Sequence, residues 1–401
     1  MNIYEVVFEE VGEENSYKLS VNPNNIGQAV IWGTDWTTET INTQMVKGNI
    51  DLTPKFQRRD AWNNSEKSCL IESLMLGIPV PPIILAESKT KRNTYIVIDG
   101  KQRLLSIRRF YAEKQILDSD QTEEFKPLKL SGLAVLKELN GKTKNQINND
   151  YITNLENQAI RTVIIKNWPD EEFLYTVFLR LNTGSKKLSP QELRQALKPG
   201  DFLSYLDDAT AASSTMRKML RTNIADPRMR DIELALRFYA FKYFVTSFNG
   251  NLKEFLDYTC EQLNMRWAED ADEFKKDFSA LESAIDFSYS LMENDSPFSR
   301  YSDDNSSNRF NRSIYELFSF YFSIEEIRNA IDCKKSEFIL KFKELNNNPE
   351  FISAVSDTTK SPIKVVARFS LFADVLKEFY SAKIPTLELQ DNKISLVHIG
   401  G

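Results

Sequence analysis

Short apolar runs and helical stripes share the first half of this chain, whereas the second half carries helical stripes almost alone. Tyr95-Ile96-Val97-Ile98 is a run of apolar residues, mostly β-branched or aromatic, and reads as a buried strand. Ile83-Ile84-Leu85 reads the same way, and the polar stretch Glu87–Thr94 between the two predicts a hairpin. Ile50-Asp51-Leu52 and Gln158–Ile165 add strands, and residues 1–21, with Ile3, Val6, Val7 and Phe8, add one or two more. Trp32 and Trp36 follow that segment without a clear period. Helices are predicted over Thr38–Lys47, ended by Gly48, and over Asn64–Leu76, capped by Asn63 or Asn64 and ended by Gly77. Leu70, Ile71, Leu74 and Met75 form the buried stripe of the second helix. Ile78-Pro79-Val80-Pro81-Pro82 is a stiff extended connector that cannot continue it. Residues Ala112–Asn157 are polar and irregular, a set of short helices or an insertion.

Glu171–Leu181 predicts another helix and Asn182-Thr183-Gly184-Ser185 a turn. Ser189-Pro190-Gln191-Glu192 is a capping box with Pro at the first helical position, opening a helix to Leu197 that Pro199-Gly200 stops. Beyond it Phe274, Phe278, Leu281, Ile285, Tyr289 and Met292 recur at helical spacing. Ser323-Ile324-Glu325-Glu326 predicts a second capping box, and Ser361-Pro362 opens a helix carrying Val365, Val366, Phe369, Phe372 and Val375. The many Phe and Tyr of this half are core residues by pattern, not stacking platforms. Residues Leu387–Val397 alternate and predict a hairpin. The sum is an α+β protein: residues 1–187 form a domain with a small mixed sheet, and residues 188–401 a mostly α-helical domain.

Composition narrows the chemistry. A net charge of −6 and a pI near 5.3 argue against a general nucleic-acid coat protein. Between Pro54 and Phe110, however, eleven Lys/Arg face five Asp/Glu, so that stretch is +6 and the remainder −12. A local basic face on an acidic chain suits a particular anionic ligand, although a solvated charged surface has the same signature. Cys69, Cys260 and Cys333 lie far apart and read as reduced thiols of a cytoplasmic protein. No signal peptide opens the sequence and no apolar run approaches a membrane span, so no membrane partner is expected. The only histidine is His398. HNH nucleases, zincins and Ser-His-Asp or Cys-His hydrolases all need histidine inside the fold, so chemistry here must run on carboxylates, Lys, Arg, Gln and backbone N–H groups, with Mg²⁺ as a candidate ion.

One stretch concentrates such groups. After the strand Tyr95–Ile98 come Asp99-Gly100-Lys101-Gln102-Arg103 and then Leu104-Leu105-Ser106-Ile107-Arg108-Arg109-Phe110, which predicts strand, tight turn and helix. Gly100 permits a sharp turn, the helix start exposes N–H groups, Arg103 adds a guanidinium and Asp99 a carboxylate. Such a strand-turn-helix suits a phosphate group, and equally suits a surface turn with ordinary charges. Pro54-Lys55-Phe56-Gln57-Arg58-Arg59-Asp60-Ala61-Trp62 is a second candidate, a loop with two adjacent arginines, a glutamine and two aromatic residues.

Taken together, Phe56-Gln57-Arg58, Trp62, Ile78-Pro79-Val80-Pro81-Pro82 and Asp99-Gly100-Lys101-Gln102-Arg103 resemble the N-terminal domain of GmrSD-type modification-dependent restriction enzymes. Phe178–Gly184, Leu188, Glu192–Leu197, Arg228–Phe238 and Arg309-Phe310-Asn311-Arg312 extend the resemblance over most of residues 35–375. It implies a ParB/sulfiredoxin-like first domain in which the strand-turn-helix contacts nucleotide phosphates, and a role in anti-phage defence in which NTP hydrolysis controls DNA cleavage. Position by position it implies Asp99, Gly100, Gln102 and Arg103 as the nucleotide motif and Gln57 and Arg58 as its partner. The residue chemistry then makes Asp99, Gln102 and Gln57 the catalytic candidates, Asp99 the candidate Mg²⁺ ligand, and Gly100, Lys101, Arg103, Arg58 and Arg59 the nucleotide-binding candidates. Lys101 departs from the usual Gln of this motif. With His398 alone, the chain resembles a stand-alone member lacking the HNH nuclease domain, so cleavage would need a partner nuclease or other defence protein. The remaining expected partners are a nucleotide, DNA and a second copy of the chain. Three functions fit: an NTP-binding and NTP-hydrolysing regulator, a non-catalytic DNA-binding module for modified DNA, and a scaffold whose nucleotide site has decayed.

Overall fold

The computed structural model describes residues 6, 8, 29–51, 62–89, 91–112, 126–170, 173, 174, 177, 180, 189–198, 200–292, 296–300, 309–356, 361–391 and 393–399. Its residues divide into two compact units, Lys18–Leu197 and a second made of Lys198–Gly401 with Met1–Tyr17. The division falls at 197/198, after the helix that the Ser189 capping box opens, and the N-terminal segment goes with the helical unit.

The unit Lys18–Leu197 is built on a mixed five-stranded sheet among the described residues. Its strands are β1 (Val30–Thr37), β2 (Ile50–Asp51), β3 (Ile83–Glu87), β4 (Tyr95–Asp99) and β5 (Ala159–Lys166), in the order β1-β5-β3-β4-β2. β1 pairs antiparallel with β5, β5 parallel with β3, β3 antiparallel with β4, and β4 parallel with β2. The expected hairpin is therefore present, with Ile84 opposite Asp99 and an irregularity between Ile84 and Leu85. β1 was not legible in the sequence. It is an edge strand with Val30, Ile31 and Trp32 exposed, so burial imposes no alternation on its residues.

Helices α1 (Thr38–Val46), α2 (Asn64–Met75), α3 (Lys101–Tyr111) and α4 (Asn149–Asn157) supply apolar residues to the sheet's core, among them Ile41, Leu70, Ile71, Leu74, Leu104, Leu105, Ile107, Phe110 and Leu155. α2 starts as expected: Asn63 accepts from the Glu66 N–H and Glu66 accepts from the Asn63 N–H, both at 2.9 Å. α5 (Pro190–Leu197) starts with the Ser189–Glu192 box. Residues 173, 174, 177 and 180 are helical; the turn expected at 182–185 lies outside the described residues.

Within this unit Glu72 replaces a missing ladder. Its buried carboxylate accepts the backbone N–H groups of Ala134, Val135 and Leu136 at 3.2, 2.8 and 2.7 Å. Burial pushes its pKa up, but the three N–H bonds outweigh burial and hold it below 4.5. A depressed folded-state pKa means stability that is complete above about pH 4.5 and is lost as pH falls through the folded value. Glu72→Gln is expected to destabilise this unit by about 2 kcal/mol at pH 7 and to remove that acid-limb loss. Four of the five tryptophans, Trp32, Trp36, Trp62 and Trp168, lie in this unit, so urea unfolding followed by tryptophan emission at pH 7 and pH 4 reads it.

The second unit is helical apart from a C-terminal hairpin. Its helices are α6 (Asp201–Ala212), α7 (Ser214–Met219), α8 (Arg230–Phe244), α9 (Leu252–Met292), α10 (Arg312–Phe322), α11 (Glu325–Asp332), α12 (Lys335–Asn346), α13 (Pro349–Ser356) and α14 (Pro362–Lys377). β6 (Ile384–Gln390) and β7 (Lys393–Ile399) pair antiparallel, and His398 sits exposed in β7 opposite Pro385. α9 runs 41 residues, about 60 Å at 1.5 Å per residue. Phe274, Phe278, Leu281 and Ile285 are buried along it as the stripe predicts. Phe318, Phe322, Phe338, Phe342 and Phe372 pack ring against ring in the core. Buried tyrosine hydroxyls are satisfied by carbonyls: Tyr315 donates to Leu234 at 3.0 Å and Tyr321 to Phe369 at 3.2 Å.

The box expected at Ser323–Glu326 is corrected. Ser323 is the C-cap of α10 and its hydroxyl donates back to the Phe320 carbonyl at 2.8 Å, so Ile324 becomes the N-cap of α11 without a side-chain cap. With only two residues between helices, one serine cannot serve both ends.

Charge is buried between three of these helices. Arg237 of α8 bonds Glu233 one turn earlier through Nε and Nη2, at 3.0 and 2.9 Å, and Glu316 of α10 through Nη1 at 2.8 Å. The other oxygen of Glu316 accepts from Arg368 of α14 at 2.6 Å, and Arg312 approaches Glu233 at 3.5 Å.

Candidate functional site

β4 delivers Asp99 to the edge of the core and Gly100 turns the chain into α3. Gly100 is the N-cap with φ 101° and ψ 11°, a left-handed conformation that a side chain would strain, and no side chain caps the helix. Ile98 and Leu104, on either side of the turn, are both buried. The turn is thereby fixed from both ends, which is why a carboxylate, a glycine and an arginine stand in one place.

Arg103 does not extend outward. It folds back one helical turn, donating through Nη2 to Asp99 Oδ2 at 2.9 Å and to the Pro82 carbonyl at 3.1 Å. Its side chain is 12% exposed and that of Asp99 34%. The Arg103 Nε is buried without a hydrogen-bond partner among the described residues. A buried guanidinium N–H left unbonded is costly unless something bonds it, so this edge of the arginine is a place for an acceptor. The same guanidinium closes over Gly100: a Cβ there would stand 3.3 Å from Arg103 Nη2, 3.4 Å from Nε and 3.2 Å from Ile83 Cγ1.

Pro82 was not among the expected site residues. The pairing of Ile84 with Asp99 explains its part, because two residues before Ile84 an antiparallel neighbour stands opposite the start of α3. The proline connector therefore does more than stop α2; it presents a carbonyl to Arg103. The signal was the position of Pro81-Pro82 directly before a strand that pairs with β4.

Gln102 ties the two sequence motifs together. Its side-chain oxygen accepts the Trp62 backbone N–H at 3.1 Å, and the Trp62 carbonyl accepts from the buried ammonium of Lys67. Trp62 is the described residue next after the loop with Gln57, Arg58 and Arg59, and those three lie outside the described residues. Asp99, Gly100, Lys101, Gln102 and Arg103 share the turn between β4 and α3; Lys101 is half-exposed at the first helical position.

The donor set limits what metal could be held. Among the described residues there is no group of three or more His, Cys, Asp or Glu that could hold an ion. A single carboxylate such as Asp99 fits Mg²⁺ only in the manner in which that ion is shared with substrate phosphates. No helix among the described residues is long and apolar enough to cross a membrane.

Residues 41–197 match the family model of the GmrSD restriction endonuclease, N-terminal domain. No curated protein and no solved structure matches the chain. The matched span ends at Leu197, where the first structural unit also ends. It contains the whole Asp99–Arg103 turn, and it marks a protein related to restriction systems and so to phage defence. Residues 41–197 of the chain thus carry a domain similar to the GmrSD restriction endonuclease, N-terminal domain.

Proposed function

We propose that the Asp99–Arg103 turn binds a nucleoside triphosphate and supports its hydrolysis, and that the chain is the regulatory component of a restriction system that controls a DNA-cleaving partner. The observation that carries this reading is the Nε of Arg103, which has no hydrogen-bond partner among the described residues and is buried beside a carboxylate at a helix start without a side-chain cap. A phosphate oxygen at that edge would satisfy the guanidinium and draw it from Asp99. Asp99 would then be released to orient water or to hold Mg²⁺, which neutralises phosphate charge when bound. Lys101 stands at the helix start as a second cation, and Gln102 fixes the neighbouring loop end by holding Trp62. Binding thus changes the partner of Asp99, a local switch suited to a regulator.

The test is a thermal shift of the full chain with ATP, GTP, CTP or UTP and Mg²⁺, followed by phosphate release. A nucleotide that binds only the folded state at 100 times its Kd should add about 2.7 kcal/mol of apparent stability. Arg103→Ala is expected to lose the shift and to lower phosphate release about 100-fold. Equal release by wild type and Arg103→Ala would remove the hydrolytic part, and no shift with any of the four would remove the binding part.

A further inference from the structure

Two helices of the C-terminal unit, α8 and α10, open with arginines, Arg230 and Arg312. Their guanidinium groups both approach one ring, that of Phe8, with Cζ of Arg312 4.5 Å and Cζ of Arg230 5.5 Å from its centroid. Phe310 closes the slot, its ring centroid 4.9 Å from that of Phe8. Phe8 and Phe310 are joined only by an isolated parallel bridge, not by a sheet among the described residues. A small hollow continues from Phe310 and is lined also by Val6, Phe298, Tyr289, Arg221 and Ser296.

The electrostatics of the slot are uneven. Arg230 is paired bidentately with Asp226 at 2.8 and 3.0 Å. Among the described residues the carboxylate that Arg312 approaches is Glu233, at 3.5 Å from an Oε1 that already accepts two bonds from Arg237. Within the group Arg237, Arg312, Arg368, Glu233 and Glu316 there are three guanidiniums for two carboxylates. Arg312 is the most open of the three arginines, its side chain 20% exposed against 2% and 3% for Arg237 and Arg368. Along the sequence, residues 217–237 and 309–316 hold eight Lys/Arg and four Asp/Glu in a chain whose net charge is −6.

We propose that this slot receives an unstacked base of a single-stranded nucleic acid, and that Phe8 holds its place in the free protein. A guanidinium stacks on a nucleobase as it does on a phenyl ring, and Phe310 supplies the aromatic wall. The base brings what Phe8 lacks, a phosphate one bond system away from the ring, and Arg312 carries the charge to meet it. A peptide aromatic would fill the same space but leave that charge unanswered. Phe8 and the base exclude one another, so the side chain sets a threshold for binding.

Fluorescence anisotropy of a labelled oligothymidylate at low salt, with the full chain, tests this. Phe8→Ala is expected to bind about tenfold more tightly than wild type, because the competitor for a stacking site is gone. Phe8→Trp should bind no better than wild type, and adding Arg312→Ala to Phe8→Ala should remove the gain and flatten the salt dependence. Far-UV circular dichroism confirms that each variant keeps its helices, and Arg312→Lys, which preserves the charge, should retain part of the gain. Unchanged binding on Phe8→Ala, equal binding of the corresponding duplex, or indifference to Arg312→Ala would each overturn the proposal.

Discussion

Glu316→Ala is expected to destabilise the helical unit by about 4 kcal/mol, the largest effect of any single substitution considered for it. Glu316 is 3% exposed and holds two arginines from two other helices, Arg237 of α8 at 2.8 Å and Arg368 of α14 at 2.6 Å. Truncation takes from Arg368, itself 2% exposed, its 2.6 Å bond and from Arg237 its 2.8 Å bond across the helices, while the bonds of Arg237 to Glu233 stay. The magnitude comes from the stranded charge more than from the lost bonds, since removing one partner of a buried pair forces the other to stay desolvated and unpaired. Taking the second charge away should therefore restore stability. Glu316→Leu combined with Arg368→Leu is expected to recover about half of the loss, and the coupling between the two sites is the quantity to extract. For a unit of about 200 residues the single variant should lower Tm by roughly 10 °C. Circular dichroism at 222 nm follows this unit, because it holds most of the helix, while Trp267 is the only tryptophan within Lys198–Gly401. Additive effects of Glu316→Leu and Arg368→Leu would mean that the buried bridge does not govern the packing of α8, α10 and α14.

The sequence made some of this visible and hid the rest for physical reasons. The strand-turn-helix at Tyr95–Phe110 was legible because three local signals agree there: a β-branched run, a glycine where the backbone must be left-handed, and an apolar stripe in Leu104, Leu105 and Ile107. The same agreement exposed the Asn63 and Ser189 boxes. Ser323 shows where it fails, since a capping motif is read over four residues and cannot register that the preceding helix already uses the serine. Strand β1 failed for the opposite reason: its edge position leaves Ile31 and Trp32 in solvent, so the pattern that normally betrays a strand is not imposed. The segments Arg228–Phe238 and Arg309–Arg312 stood out by resemblance, but their pairing through Glu316 depends on a contact 79 residues away in the chain and on helix packing that no local window contains. At the candidate site Asp99 and Arg103 were found individually, and their bond to one another follows from i,i+4 spacing on a helix start. The Pro82 carbonyl was out of reach, because it required the strand register to be known.

Gly100→Ala is expected to separate the stability of the turn from its chemistry. With φ at 101° the residue lies where a Cβ strains the backbone by about 1–2 kcal/mol, and the added carbon would meet Ile83 Cγ1 at 3.2 Å. Ile83 is buried in β3 and cannot withdraw, so the yielding neighbour must be Arg103, whose Nη2 and Nε would stand at 3.3 and 3.4 Å. Displacing that guanidinium breaks its bonds to Asp99 and the Pro82 carbonyl, so the total loss should reach about 3 kcal/mol in urea unfolding followed by tryptophan emission. Arg103→Ala removes the same two bonds without the backbone strain and should lose about half as much. The nucleotide response then discriminates between two roles of the glycine. If phosphate binds the arginine edge, both variants lose the thermal shift together, although their stabilities differ. If phosphate instead meets the helix start itself, Arg103→Ala keeps a shift and Gly100→Ala loses it, because only the second disturbs the backbone that presents those N–H groups. A shift preserved in Gly100→Ala would place nucleotide binding away from this turn altogether.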